Sequence, residues 1–136
     1  MLILILRKLA IFKIEKSFYT RNNSTFTKIY QVTVIVIFND SIDDLSPIIK
    51  TSLYKTIQES ITNSLNHGDA TEITIKITRT SENVKLVVTD NGIGCNNISK
   101  SNGLNGIDHR IKLLRGRTQY FSHNNLGFSI KVFIPI

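Results

Sequence analysis

Between Ile48 and His67 the large apolar residues recur at every fourth position: Ile49, Leu53, Ile57, Ile61 and Leu65. That spacing predicts one long helix with a single apolar face, which must be buried against another layer. Ser46-Pro47 supplies an N-cap and a proline for its first turn, and His67-Gly68 predicts a stop with Gly68 as a left-handed C-cap. The helix is bracketed by strands. Gln31–Asn39 (QVTVIVIFN) is dense in β-branched residues, and the strict alternation of Ile73, Ile75 and Ile77 within Glu72–Thr80 predicts a strand with one buried face. Asn83–Thr89 follows after a tight turn at Ser81-Glu82, and Thr118–His123 and Phe128–Pro135 close the chain around an Asn124–Gly127 turn. Between them, Asp90–Asn105 reads as a long polar loop and Gly106–Leu114 as a short helix. A loop of that length inside a compact domain is a functional candidate.

Composition narrows the classes. A chain of 136 residues with 41% hydrophobic residues has room for one domain and its core. A single cysteine, Cys95, excludes an intramolecular disulfide framework and makes thiolate clusters improbable, so a reducing, cytoplasmic setting is expected. No run approaches the roughly 18–20 apolar residues of a membrane span. The opening six apolar residues precede Arg7-Lys8, the reverse of a secretory signal; they read as the start of a strand or helix, or as the remnant of a longer protein, with a surface-lying amphipathic anchor as the rival. Ser17–Lys28 reads as loop or weak helix, so residues 1–25 are set apart as an extension and 26–136 as the domain. The net charge of +7 sits mostly at the front, where residues 1–31 hold six bases against Glu15. Those bases are scattered and carry no reading motif, so no nucleic-acid partner is expected.

Three clusters stand outside the packing pattern. Glu59, Asn63 and His67 lie one turn apart along the helix, on a stripe beside the apolar one. A carboxylate and a carboxamide oxygen there suit Mg²⁺, which takes a few hard oxygens and keeps its waters; an exposed polar stripe is the equally simple reading. Asp90–Gly94 (DNGIG) ends a strand, and Asp90 offers an acceptor to an exocyclic amine while Gly92 and Gly94 let backbone come close. By itself it is also turn chemistry. Ser101–Gly106 (SNGLNG) precedes a helix, whose N-terminal amides make an anion site. A dinucleotide-binding crossover does not fit, since Ser101 replaces its first glycine and no strand immediately precedes.

In that order, E-x-x-x-N on a helix, two strands, D-x-G-x-G, a polar loop and G-L-x-G resemble the ATP-binding domain of sensor histidine kinases, the GHKL or Bergerat fold shared with gyrase B, MutL and the heat-shock chaperone ATPase. ESITNSLNHGDA at Glu59–Ala70 is most similar to the subgroup that pairs with LuxR/NarL-type response regulators. The resemblance covers about residues 26–136 and includes the final F-I-P-I strand. It implies an α/β fold, an α+β two-layer sandwich whose mixed, mainly antiparallel sheet is covered on one face by helices. It implies ATP and Mg²⁺ as cofactors, with Asn63 ligating Mg²⁺ and Glu59 activating or orienting the phosphoacceptor. Asp90 would hydrogen-bond the adenine amine, Gly92 and Gly94 would make room for base and lid, His67 would contact phosphate, and Gly103, Leu104 and Gly106 would form the phosphate-side loop.

The implied activity is Mg-ATP-dependent phosphoryl transfer to a histidine supplied in trans or by the rest of a longer protein. The implied partners are a phosphoacceptor and dimerisation domain and a response regulator, with membrane association through a parent kinase. Two departures stand out: Ser101 replaces the family's usual first glycine, and His109 replaces a common Glu. Nothing before Glu59 matches the subgroup's phosphoacceptor helix. A non-catalytic or anti-sigma-type nucleotide-binding regulator of the same fold is the alternative.

Overall fold

The computed structural model describes residues 10–14, 32–38 and 42–136. The opening apolar run and the Ser17–Lys28 segment lie outside these residues. Six strands are described: β1 (Ala10–Ile14), β2 (Val32–Phe38), β3 (Glu72–Arg79), β4 (Asn83–Asp90), β5 (Arg117–Ser122) and β6 (Phe128–Pro135). They form one sheet in the order β1-β2-β3-β4-β6-β5. Only β2 and β3 pair in parallel, and every other pairing is antiparallel. A parallel pair needs a crossover, and helix α1 (Pro47–Asn66) supplies it. Helix α2 (Asn102–Leu113) links β4 to β5.

The period-2 pattern is realised residue by residue. Val32, Val34 and Val36, then Ile73, Ile75 and Ile77, then Val84, Leu86 and Val88, then Ile130, Val132 and Ile134 are all buried on one face. Ile49, Leu53, Ile57 and Leu65 of α1 and Ile107 and Ile111 of α2 join them in a single core. Both helices therefore cover the same face, giving the two-layer α/β arrangement expected from the resemblance.

The predicted apolar face of α1 is accurate but incomplete. Ile61 is only half-buried, while Ser52, Thr56, Ser60 and Ser64 form a second fully covered ridge. Thr56 and Ser60 donate to the carbonyls one turn back, Ser52 at 2.8 Å and Thr56 at 2.7 Å, so small hydroxyls enter the interior with their hydrogen bonds satisfied.

Both helix ends differ from the expectation. At the end of α1 the left-handed residue is Asp69 (φ 47°), not Gly68. Gly68 serves close approach, because a β-carbon there would lie 2.9 Å from the Ser64 carbonyl oxygen. Helix α2 begins at Asn102, four residues before the expected Gly106. Ser101 is its N-cap, with Oγ accepting from Leu104 N, and Leu104, Ile107 and Ile111 bury one face. Gly103, Leu104 and Gly106 thus lie within the helix rather than in a loop before it.

Candidate functional site

Asp90, the last residue of β4, is 6% exposed and held from three sides. Its Oδ1 accepts from the backbone N–H of Gly92 at 2.9 Å and of Phe128 at 3.1 Å. Its Oδ2 accepts from Ser64 Oγ at 2.6 Å, tying the strand end to α1. A carboxylate has about four acceptor positions, so Oδ1 is saturated while Oδ2 retains one. The Gly68 carbonyl, which accepts from Ile93 N at 2.8 Å, passes so near that a β-carbon on Gly92 would collide with it. Glycine at 92 is what lets the DNGIG turn close against the end of α1.

Above this turn is a cavity of about 320 Å³. Asn63 and His67 come from α1, Asp90 and Gly94 from the strand end and turn, Ser101 and Leu104 from the start of α2, and Phe128 from β6. Apolar walls around a few convergent polar groups suit a flat, amine-bearing ring. Five of the residues expected from the sequence therefore share one cavity: Asn63, His67, Asp90, Gly94 and Leu104. Gly92 lies beneath it, bonded to Asp90. Glu59, Gly103 and Gly106 do not line it; they line a neighbouring groove of about 380 Å³ between the helices. The Glu59 carboxylate rests over Gly103, where any β-carbon would collide with its Oε1.

Among the described residues no cluster of three or more His, Cys, Asp and Glu forms a metal site. The donor present is the Asn63 carboxamide, half-buried in the cavity wall. One hard oxygen fits a Mg²⁺ that brings its waters and ligand phosphates with it, and does not fit a cation caged by protein alone.

The segment leading into α2 is fastened by a group that sequence reasoning missed. Asp108 accepts from Lys100 Nζ at 2.5 Å, from Tyr120 OH at 2.5 Å and from Thr118 Oγ1, so one carboxylate joins the loop, α2 and β5. Burial raises its pKa, but the three hydrogen bonds and the Lys100 charge outweigh that and leave it below the ordinary value. Tyr120 is pushed above its usual 10.0, chiefly by burial and then by its bond to Asp108. A phenol that ionises later in the folded chain than in the unfolded one stabilises the fold fully below pH 10 and loses that contribution as pH rises beyond it. Tyr120→Phe should therefore lower stability by about 1–2 kcal/mol at pH 7, with the deficit shrinking above pH 10. Thermal melts of both chains across pH 7–11 check this, and a deficit independent of pH would contradict the coupling.

Ser64 was missed as well. Its only signal is a hydroxyl at the fourth step of the Ser52, Thr56, Ser60 ridge, and its partner is 26 residues away in sequence.

Comparison with known proteins agrees with this fold. Residues 49–136 match the family model HATPase_c, described as the histidine kinase-, DNA gyrase B-, and HSP90-like ATPase. The chain is 34% identical over 98 residues to the signal transduction histidine-protein kinase/phosphatase DegS of Bacillus subtilis, covering 68% of this chain and 26% of DegS. It is 31% identical over 115 residues to a sensor-like histidine kinase of Chloroflexus aurantiacus, covering 76% of this chain and 19% of that one. The match thus spans 26% and 19% of the length of these two relatives. Among solved structures, the histidine kinase domain of the Erythrobacter litoralis EL346 blue-light activated histidine kinase superposes with a TM-score of 0.60 at 17% identity, covering 75% of this chain and 53% of that one. The Acinetobacter baumannii histidine kinase AdeS gives 0.57, also at 17%, over 75% and 53%. At such identity these two likenesses establish the fold. With the family model matching well over half the chain, the protein belongs to the HATPase_c family of histidine kinase-, DNA gyrase B- and HSP90-like ATPases.

Proposed function

We propose that this chain is the ATP-binding catalytic part of a two-component sensor histidine kinase of the subgroup paired with LuxR/NarL-type response regulators. The observation that carries the reading is Asp90, a buried carboxylate in a largely apolar cavity with a single acceptor position left on Oδ2. An exocyclic amine of adenine satisfies that position, with Gly94 and Phe128 against the ring. Similarity to DegS and to the sensor histidine kinase ComP of Bacillus subtilis, 30% identical over 90 residues, supports the kinase assignment and the regulator subgroup.

From the adenine, the sugar and phosphates run towards Asn63, His67 and the first turn of α2. Asn63 Oδ1 would hold Mg²⁺, which would offset phosphate charge when bound, and His67 would contact a phosphate oxygen. The N–H groups at the very start of α2, at Asn102 and Gly103, precede the first intrahelical bond and supply donors at the phosphate end. Glu59, one turn beyond Asn63, accepts a hydrogen bond from one nitrogen of an incoming imidazole. The other nitrogen attacks the terminal phosphorus, a P–N bond forms, the P–O bond to the bridging oxygen breaks, and ADP departs. The acceptor histidine comes from another polypeptide or another part of a longer protein, with residues 26–136 as the ATPase unit and the preceding residues as an extension. No helix among the described residues is long and apolar enough to cross a membrane. A cytoplasmic location, with a membrane held through the parent kinase, follows from the same reading.

Incubating the purified chain with γ-labelled Mg-ATP and a separate histidine-bearing helical domain of a DegS-like kinase should give acid-labile, base-stable label on that domain. Nucleotide binding without transfer to any such domain would favour a regulatory binding module of the same fold.

A further inference from the structure

The groove between α1 and α2 is lined in part by Arg110, one of whose guanidinium nitrogens, Nη1, is completely buried and has no hydrogen-bond partner among the described residues. A buried guanidinium nitrogen left unpaired is costly, and its neighbourhood normally supplies an acceptor. Here Lys55 lines the same groove, and Glu59 stands at the opposite end over Gly103, with no ion pair joining it to either cation among the described residues. The two helices run past each other so that Glu59 meets Gly103, while Lys55 and Arg110 lie further along.

Gly106 is the second anomaly. A glycine inside a helix is destabilising relative to alanine, and it is normally explained by something a β-carbon would strike. A β-carbon at 106 would meet nothing within 4 Å. The glycine leaves open the floor of the groove, one turn before Arg110, and helical side chains lean back towards the N-terminus, over that turn. The groove also continues the nucleotide cavity: along α1, Asn63 lines the first and Glu59, one turn on, the second, while Ser101 and Leu104 line the first and Asn102 and Gly103 the second.

We infer that this groove receives the terminal phosphoryl group of the bound nucleotide, and that Arg110 distinguishes a triphosphate from a diphosphate. The inference rests on the nucleotide reading above. The ligand chemistry is a phosphoryl dianion, held by a charge-assisted bond from Arg110, with Lys55 adding charge at the mouth. Its source is the third phosphate of the same nucleotide rather than free phosphate.

Calorimetry with Mg-ATP and Mg-ADP on the intact chain and on Arg110→Gln tests this. Wild type should bind ATP about 10-fold or more tightly than ADP, and Arg110→Gln should lose most of that preference while ADP affinity stays within about 2-fold. Gly106→Ala serves as the second variant: it should raise the melting temperature and still reduce the ATP preference. An unchanged preference in both variants, or an equal loss of ATP and ADP binding in Arg110→Gln, overturns the inference. Inorganic phosphate adding to the ADP complex as tightly as the third phosphate does overturns the assignment to the nucleotide. Failure of wild type to bind either nucleotide instead overturns the underlying nucleotide reading.

Discussion

Asp90→Asn is expected to weaken Mg-ATP binding by about 2–4 kcal/mol, roughly 30- to 1000-fold, while the chain still folds. The fold survives because the amide can present its oxygen to the same two donors, Gly92 N and Phe128 N, that Oδ1 now satisfies. Its NH₂ then faces Ser64, whose hydroxyl rotates from donor to acceptor. What the amide cannot reproduce is the free acceptor position of Oδ2. An incoming amine would meet a donor, and two donors would face each other in a buried site with neither satisfied. Calorimetry combined with thermal melts checks the result. Affinity within about 3-fold of wild type would remove adenine from Asp90, whereas a collapsed melt would show that the carboxylate is needed for folding instead.

The sequence made most of the sheet legible through its β-branched runs and, in β3, through alternation. Ile73, Ile75 and Ile77 admit only one buried face, and the structure buries that face. Helix α1 was legible for the same reason at a different period. Asp90 was legible because a strand running into D-x-G-x-G places an acid where the backbone must turn sharply. The kinase-like order of these pieces was readable too, and the family match now carries it.

What stayed hidden depends on distant partners. Ser64 is a hydroxyl on a helix, indistinguishable in one dimension from an exposed polar residue, and it acquires meaning only when β4 brings Asp90 beside it. Asp108 belongs to no motif in the sequence, and its bonds to Lys100, Thr118 and Tyr120 are set by how α2 crosses β5. The start of α2 was misplaced because Gly103 and Gly106 argued for a loop. The stronger signals were local: Ser101 as an N-cap, then Leu104, Ile107 and Ile111 at spacings of three and four. Glycine in that stretch reflects the groove beside the helix rather than the absence of a helix.

The same distinction gives the second large effect, at Gly94. Unlike Gly106, it has positive φ (60°), and an added β-carbon would strike the carbonyl oxygens of His123 and Gly127 and lie 2.9 Å from Ser122 Oγ. Gly94→Ala should therefore cost about 1–2 kcal/mol for the left-handed backbone and about 1–3 kcal/mol for the collision, a substantial part of the 5–15 kcal/mol typical of a domain. The damage would spread by a definite route. Ser122 Oγ accepts from Cys95 N at 2.8 Å and donates to the Gly127 carbonyl at 2.8 Å, bracing the DNGIG turn against the β5–β6 turn. Displacing that brace shifts Phe128, whose N–H holds Asp90 Oδ1, so nucleotide affinity should fall together with stability. Thermal melts with and without Mg-ATP would show the lowered transition and a reduced ligand-induced shift. A melt unchanged from wild type would mean that the two turns are not braced against each other in solution, and the route from Gly94 to Asp90 would fail with it.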